Sequence, residues 1–221
     1  MRSAVSIRPA AGPRRRLSAA QRRERILAAA TEVFAERGYR EASVGEISAR
    51  AGVVASVIYD HFRSKRDLHI QLLELHGSWL VSNSITAIEV GEPRQMLRAS
   101  VDALYRLIEQ DPFAWRFIFR DPPADAEIAA AWRSIHDRAT AGIATLIETG
   151  APGAAWIEGV DRATAAWMLA KASQGATNRL AEWWFEHREV PRARVTDLAV
   201  RLLWDGYSGL LAEALGGGAS G

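Results

Sequence analysis

Within fifty residues of this chain, three serines each stand three positions before a side chain able to answer them: Ser18 before Gln21, Ser43 before Glu46, and Ser64 before Asp67. That spacing starts helices, because the serine hydroxyl accepts from an orphan amide of the first turn while the later side chain reaches back towards the start. Gly38 and Gly52 follow the first two starts as left-handed stops. Between these marks Ile26, Leu27, Ala30, Val33 and Phe34 recur at helical spacing, then Val44, Ile47 and Ala51, then Val54, Ile58 and Phe62. Three helices are thereby pressed into about 45 residues, and the second and third are short and joined by about three residues that include glycine, the helix-turn-helix pattern.

Beyond residue 68 the pattern stays helical. Segments over 65–88, 94–110, 113–120, 125–148, 160–187 and 192–215 are separated by "GEP", "DP", "DPP" and "GAPG". Nothing alternates with the period of a strand. The expected fold is all-α, with about nine helices in total. A three-helix unit occupies 18–66 and a larger helical body 67–215, with a disordered basic arm over 1–17 and a flexible tail over 216–221.

Charge separates the two parts. Residues 1–66 hold 14 of the 28 Lys and Arg but 6 of the 26 Asp and Glu, an excess of 8 positive charges, whereas the remainder carries an excess of 6 negative. Concentrated cationic charge attracts a polyanion by steering and counterion release, although charge alone fits an ordinary solvated surface equally well. The absence of cysteine excludes disulfides, thiolate metal sites and cysteine nucleophiles, and suits a reducing compartment. The Arg-rich start lacks the apolar core of a signal peptide, and no uncharged run nears the roughly 20 residues that span a bilayer, so a cytoplasmic protein is expected. His69 and His76 are seven apart and no HExxH spacing occurs, so neither metal, cofactor nor catalysis is expected.

With Ile58 turned inward on a helix of about 100° per residue, Val54 and Phe62 flank it, while Ser56, Asp60 and Arg63 point outward beside Tyr59 and Val57. A helix backed by two others and faced with small polar groups fits a major groove about 12 Å wide. The alternative is an exposed face with no ligand.

At these residues the chain resembles a family. The run "RRERILAAATEVFAERGYREASVGEISARAGVVASVIYDHFRSKRDL" is similar to the DNA-binding domain of the TetR/AcrR transcriptional regulators over about 47 residues. The resemblance implies that Tyr59, His61, Lys65 and Ser43 face phosphates and that base reading falls to Val54, Ala55, Ser56 and Val57. Two apolar residues stand where the family commonly places a hydroxyl cap and a longer polar side chain. Ala55 and Val57 are therefore expected on thymine methyls, while Asp60 either accepts from a cytosine amine or pairs with Arg63. Arg22 and Arg23 are placed for backbone contact or a solvated face, and Arg14, Arg15 and Arg16 for a neighbouring minor groove or a plain solubilising tail.

All eight tryptophans lie in the acidic body. Trp79, Trp115, Phe119, Trp132 and Trp167, drawn from different helices, either converge on an apolar ligand cavity or pack as core. Gln174 and Asn178 interrupt an apolar stripe and serve either a ligand or an interface. Val195, Leu198, Leu202, Gly206 and Gly209 recur on one face of the last helix, similar to the family's four-helix dimer contact. The function expected is a homodimeric repressor that binds double-stranded DNA at a palindromic operator and is released by a small apolar or aromatic effector, with no membrane partner. An activator or a ligand-independent DNA-binding protein is the alternative.

Overall fold

The computed structural model of the chain describes residues 17–86, 92–120, 124–150 and 157–214. The basic arm with Arg14, Arg15 and Arg16 and the glycine tail lie outside them. Among the described residues there are nine helices and no strand: α1 (Ala19–Glu41), α2 (Val44–Ala51), α3 (Ala55–His61), α4 (Lys65–Thr86), α5 (Pro93–Gln110), α6 (Pro112–Phe119), α7 (Ala126–Gly150), α8 (Arg162–Glu186) and α9 (Arg192–Ala214).

The serine starts are realised in their hydrogen bonds. Ser18 Oγ accepts from the Gln21 amide at 3.1 Å while the Ser18 amide donates to Gln21 Oε1 at 2.9 Å, a complete capping box. Ser43 Oγ accepts from the Glu46 amide at 3.0 Å, but the Glu46 carboxylate meets Arg37 instead of reaching back. Ser64 Oγ accepts from the Asp67 amide at 3.1 Å, and the Asp67 carboxylate takes the Arg63 amide at 2.8 Å.

Three helices with one apolar face each need a shared interior. α1, α2 and α3 supply Ala30, Val33, Phe34, Ile47, Ala51 and Ile58 to it, each side chain adding about 1.5–3 kcal/mol where it is large. That interior does not end with the tripod. The same cluster takes in Leu68, Leu72 and Leu73 of α4, Leu107 of α5, Phe117 and Ile118 of α6, and Ile128 and Ile135 of α7. A second cluster, around Tyr105, Trp115, Trp184, Val195 and Val200, joins α5, α6, α8 and α9. Small residues let α7 and α8 pack closely at Ala144, Ala165, Ala166 and Ala170.

Two expected positions change. Val54 is 66% exposed, because it is the residue preceding α3 and its extended backbone (φ −85°, ψ 152°) takes it off the helical wheel. Val53 and Val57 pack on the core instead, which turns the inward arc of α3 towards Val57 and leaves that side chain half-buried. Gly38 does break α1, at φ 78° and ψ 170°, but one further helical turn follows to Glu41. That backbone region is essentially reserved for glycine.

His69 on α4 is buried among Phe34, Tyr39 and Phe117, with ring centroids 4.7, 5.1 and 4.8 Å away, and its Nδ1 has no hydrogen-bond partner. Burial, aided by the Lys65 charge, pushes its pKa down to about 4. Burial lowers His76 and His136 as well.

Gly52 ends α2 in the left-handed conformation (φ 68°, ψ 34°), and the next amide, of Val53, bonds back to the Ser48 carbonyl at 3.0 Å. Open space surrounds the position, so the backbone alone requires glycine there. Gly52→Ala is expected to cost about 1–2 kcal/mol in urea unfolding. An unfolded histidine titrates near 6.5, so below that pH the unfolded state binds protons that buried His69 refuses. Stability is therefore full above about pH 6.5 and falls as pH drops; moving to about pH 5 is expected to cost roughly 2 kcal/mol through His69, and His69→Phe should flatten that part of the profile.

Candidate nucleic-acid interface

α3 offers two faces. Ile58 holds it to the core and Val57 assists, while Ala55, Ser56, Tyr59 and Asp60 are exposed on the opposite side, followed by exposed Arg63. The outer face is thus small at its start and polar along its length. Asp60 forms no ion pair with Arg63 or with any other described residue. Tyr59 is 55% exposed, and His61, the last residue of α3, is half-buried. Three residues, 52–54, separate α2 from α3, so the exposed start of α2 and the outer face of α3 stand on the same short unit.

At the start of α2, Ser43 is exposed; its oxygen is engaged by Glu46, which leaves its hydroxyl proton for an incoming acceptor beside the amide end of the helix. Arg22 and Arg23 occupy the amide end of α1, where no acidic side chain offsets them. Cations there oppose the helix dipole at about 0.3–1 kcal/mol each, which an external anion would relieve. Arg22 Nη1 donates to the Leu17 carbonyl, and Arg23 Nη2 donates to Gln71 Oε1 at 2.9 Å with its guanidinium over the Phe62 ring. Neither forms an ion pair among the described residues. In contrast, Arg37, Arg50 and Arg66 are engaged by Glu46, by Glu32 and Glu36, and by Asp125 and Glu127.

Lys65, expected on a phosphate, also has partners within the chain. Its Nζ donates to the carbonyls of Tyr39 and Ala42 at 2.8 and 2.9 Å and lies 4.5 Å from the Tyr39 ring centre. Lys65 therefore ties the end of α1 to the start of α4, with one N–H left over. Burial lowers its pKa.

In the body the five expected aromatics divide. Trp115, Phe119 and Trp132 form one chain through His136: Trp115 and Phe119 are 6.0 Å apart, Phe119 and His136 5.4 Å, and Trp132 and His136 3.8 Å. Trp79 and Trp167 are instead 44% and 37% exposed and do not join it. Gln174 accepts from Thr140 Oγ1 at 2.8 Å, tying α8 to α7, and Asn178 is half-buried one turn on. Trp115 Nε1 is buried with no acceptor.

On α9, Val195 is a correction: it is buried in its own chain's second cluster, because the wheel turns it towards Ala199 and the α5 side. Leu198, Leu202 and Gly206 remain exposed, and the surroundings of Gly209 lie outside the described residues. Among the described residues no group of His, Cys, Asp or Glu could hold a metal, and no helix is long and apolar enough to cross a membrane. Sequence reading missed Arg120, which follows α6 and donates through Nη1 to the Ala35 carbonyl of α1 at 2.8 Å. Only its place at a helix end gave any local signal.

The model of the tetR family of bacterial regulatory proteins matches residues 26–72, which span α1 to the first turns of α4. The chain is 34% identical over 206 residues to the HTH-type transcriptional activator FasR of Mycolicibacterium smegmatis, covering 91% of this chain and 90% of that one. A TetR-like transcriptional regulator from Rhodococcus sp. RHA1 has the same fold, with a TM-score of 0.72 and 25% identity over 88% of this chain and all (100%) of that one. The regulator FadR from Bacillus subtilis, solved in complex with stearoyl-CoA, superposes with a TM-score of 0.66 and 20% identity over 82% of this chain and 97% of that one.

Removing only the hydroxyl of Tyr59, by Tyr59→Phe, is expected to weaken binding to every duplex about tenfold in fluorescence anisotropy, the loss of one charge-assisted hydrogen bond. Ser56→Ala should instead shift preference at one base position. A Tyr59→Phe loss confined to a single sequence would make Tyr59 a base reader.

Proposed function

The chain belongs to the TetR family of bacterial regulatory proteins and is a DNA-binding transcriptional regulator, and on that premise we propose that it works as a homodimer on a two-fold symmetric operator, its affinity set by an apolar effector in the helical body. The observation that carries the dimer is the uncovered apolar surface of the last two helices. Leu198 and Leu202, one turn apart on α9, are 56% and 61% exposed, and Met168 and Trp183 on α8 are 50% and 46% exposed. Exposed apolar side chains of this size are expensive in water, and a second copy would cover them. Gly206 continues the α9 stripe with open space around it, so a partner helix can approach its backbone. A seven-residue reading helix covers few bases, and pairing supplies two of them to half-sites about 34–36 Å apart.

Trp115 supports the effector reading. Its indole N–H is buried without an acceptor, its ring centre lies 6.0 and 5.7 Å from those of Phe119 and Phe185, and a ligand carbonyl would satisfy the N–H. The stearoyl-CoA held by the Bacillus subtilis FadR makes a long-chain acyl thioester the first probe. An effector moves the operator equilibrium only by binding one conformation better than the other.

Two signs of regulation are open to such a dimer. Repression follows when the operator overlaps the promoter. Activation has a specific observation behind it, since the relative matched along nine-tenths of the chain is an activator. A reporter driven by the native promoter, with and without the protein, separates them: output falls for a repressor and rises for an activator.

Leu202→Arg is expected to give a monomer by light scattering and to weaken operator binding at least tenfold, because each half-site then binds alone. Selection from random duplexes should return an inverted repeat; a single unrepeated motif, or a wild-type monomer, would overturn the dimer.

A further inference from the structure

Four helices, α1 from the reading unit and α4, α6 and α7 from the body, meet around a cleft of about 240 Å³. Its wall includes Arg37, Arg40, Arg120, Tyr39, His69 and Trp132. The volume holds about eight waters at liquid density, or a molecule of about ten non-hydrogen atoms. It stands apart from the Trp115 indole, which takes no part in its wall.

The wall is cationic. Against three guanidiniums it carries one carboxylate, Glu41. Arg40 is exposed and makes no bond to any described residue. Arg120 directs Nη1 to the Ala35 carbonyl, which leaves its Nε and Nη2 edge. Those two atoms lie 3.2 and 3.3 Å from where a Cβ on residue 38 would stand, so the guanidinium sits closely against the bare backbone of Gly38. A free Nε/Nη2 edge matches a carboxylate with two parallel hydrogen bonds. The ring of His69 also forms part of the wall, 6% exposed and packed among Phe34, Tyr39 and Phe117. The rings of Tyr39 and Trp132 supply apolar wall for the remainder of the molecule.

We propose that this cleft is a binding site for a small organic carboxylate, with Arg120 and Arg40 on the carboxylate and Tyr39 and Trp132 against its ring or short chain. Arg120 follows α6 and grips the break in α1, so an occupant braces the body against the reading unit and sets the angle at which α3 is presented. The site itself is independent of the regulatory reading above; the coupling to α3 rests on it.

Titration calorimetry on the full chain without DNA tests the site, with benzoate as probe and benzamide as its neutral counterpart. Benzoate is expected to bind with a Kd below about 1 mM and benzamide at least tenfold more weakly. Arg40→Gln should weaken benzoate about fivefold and Arg120→Gln about tenfold. Because Arg120→Gln also removes a partner from α1, Arg40→Gln is the deciding variant. No heat up to about 10 mM benzoate, equal binding of benzamide, or wild-type affinity in Arg40→Gln would overturn the site. Operator affinity measured with and without saturating benzoate tests the coupling separately: a change supports it, and an unchanged value beside clear benzoate binding overturns the coupling alone.

Discussion

A helix of seven residues does not persist alone in water, because nucleation costs more than so few hydrogen bonds return. α3 exists only because Ile58, with Phe62 just after it, reaches the apolar cluster around Phe34. That cluster is completed from the body: Phe117 of α6 lies 6.1 Å from Phe34, and His69 sits edge-on to Phe34 and tilted against Phe117. The reading helix therefore rests on a foundation that the helical body partly builds. Repacking at α6 or α7 is felt beneath α3 without any long relay, since one interior serves both.

The sequence signals that held are those whose physics is local. A serine three residues before a polar side chain specifies a helix start from the first turn alone, and all three were realised. The glycine between α2 and α3 likewise needs only its own dihedral angles. The signals that moved depend on partners distant in sequence. Val54 and Val57 exchanged roles because the residue before a helix does not follow its wheel, and Val195 was claimed by α5 from within the same chain. Trp79 and Trp115 carry the same side chain on helical segments, yet one meets solvent and the other Phe119 and Phe185. Nothing local distinguishes them. Of the expected DNA-facing residues, the α3 positions were legible as a face, whereas Lys65 was not legible as a brace, because its carbonyl partners come from another helix.

The basic excess of the amino-terminal part has two uses in the structure. Arg37, Arg50 and Arg66 are turned to acidic neighbours, and exposed pairs of that kind contribute about 0–1 kcal/mol each. They shape the unit more than they stabilise it. Arg22, Arg23 and Arg63 keep their charge for solvent, at the amide end of α1 and just beyond α3. Net charge in a sequence counts both groups alike; only geometry tells which remain available to a polyanion.

The division of α3 into a buried side and an outer side has a consequence for descent. Ala55, Ser56, Tyr59 and Asp60 support nothing beneath them, so exchanging them leaves the foundation intact. After gene duplication, one copy is free to acquire a new genomic address while keeping the same helical body, and the other can keep its address while the body drifts. Address and body are then inherited as separate traits, and a shared address between two descendants carries no promise of a shared body.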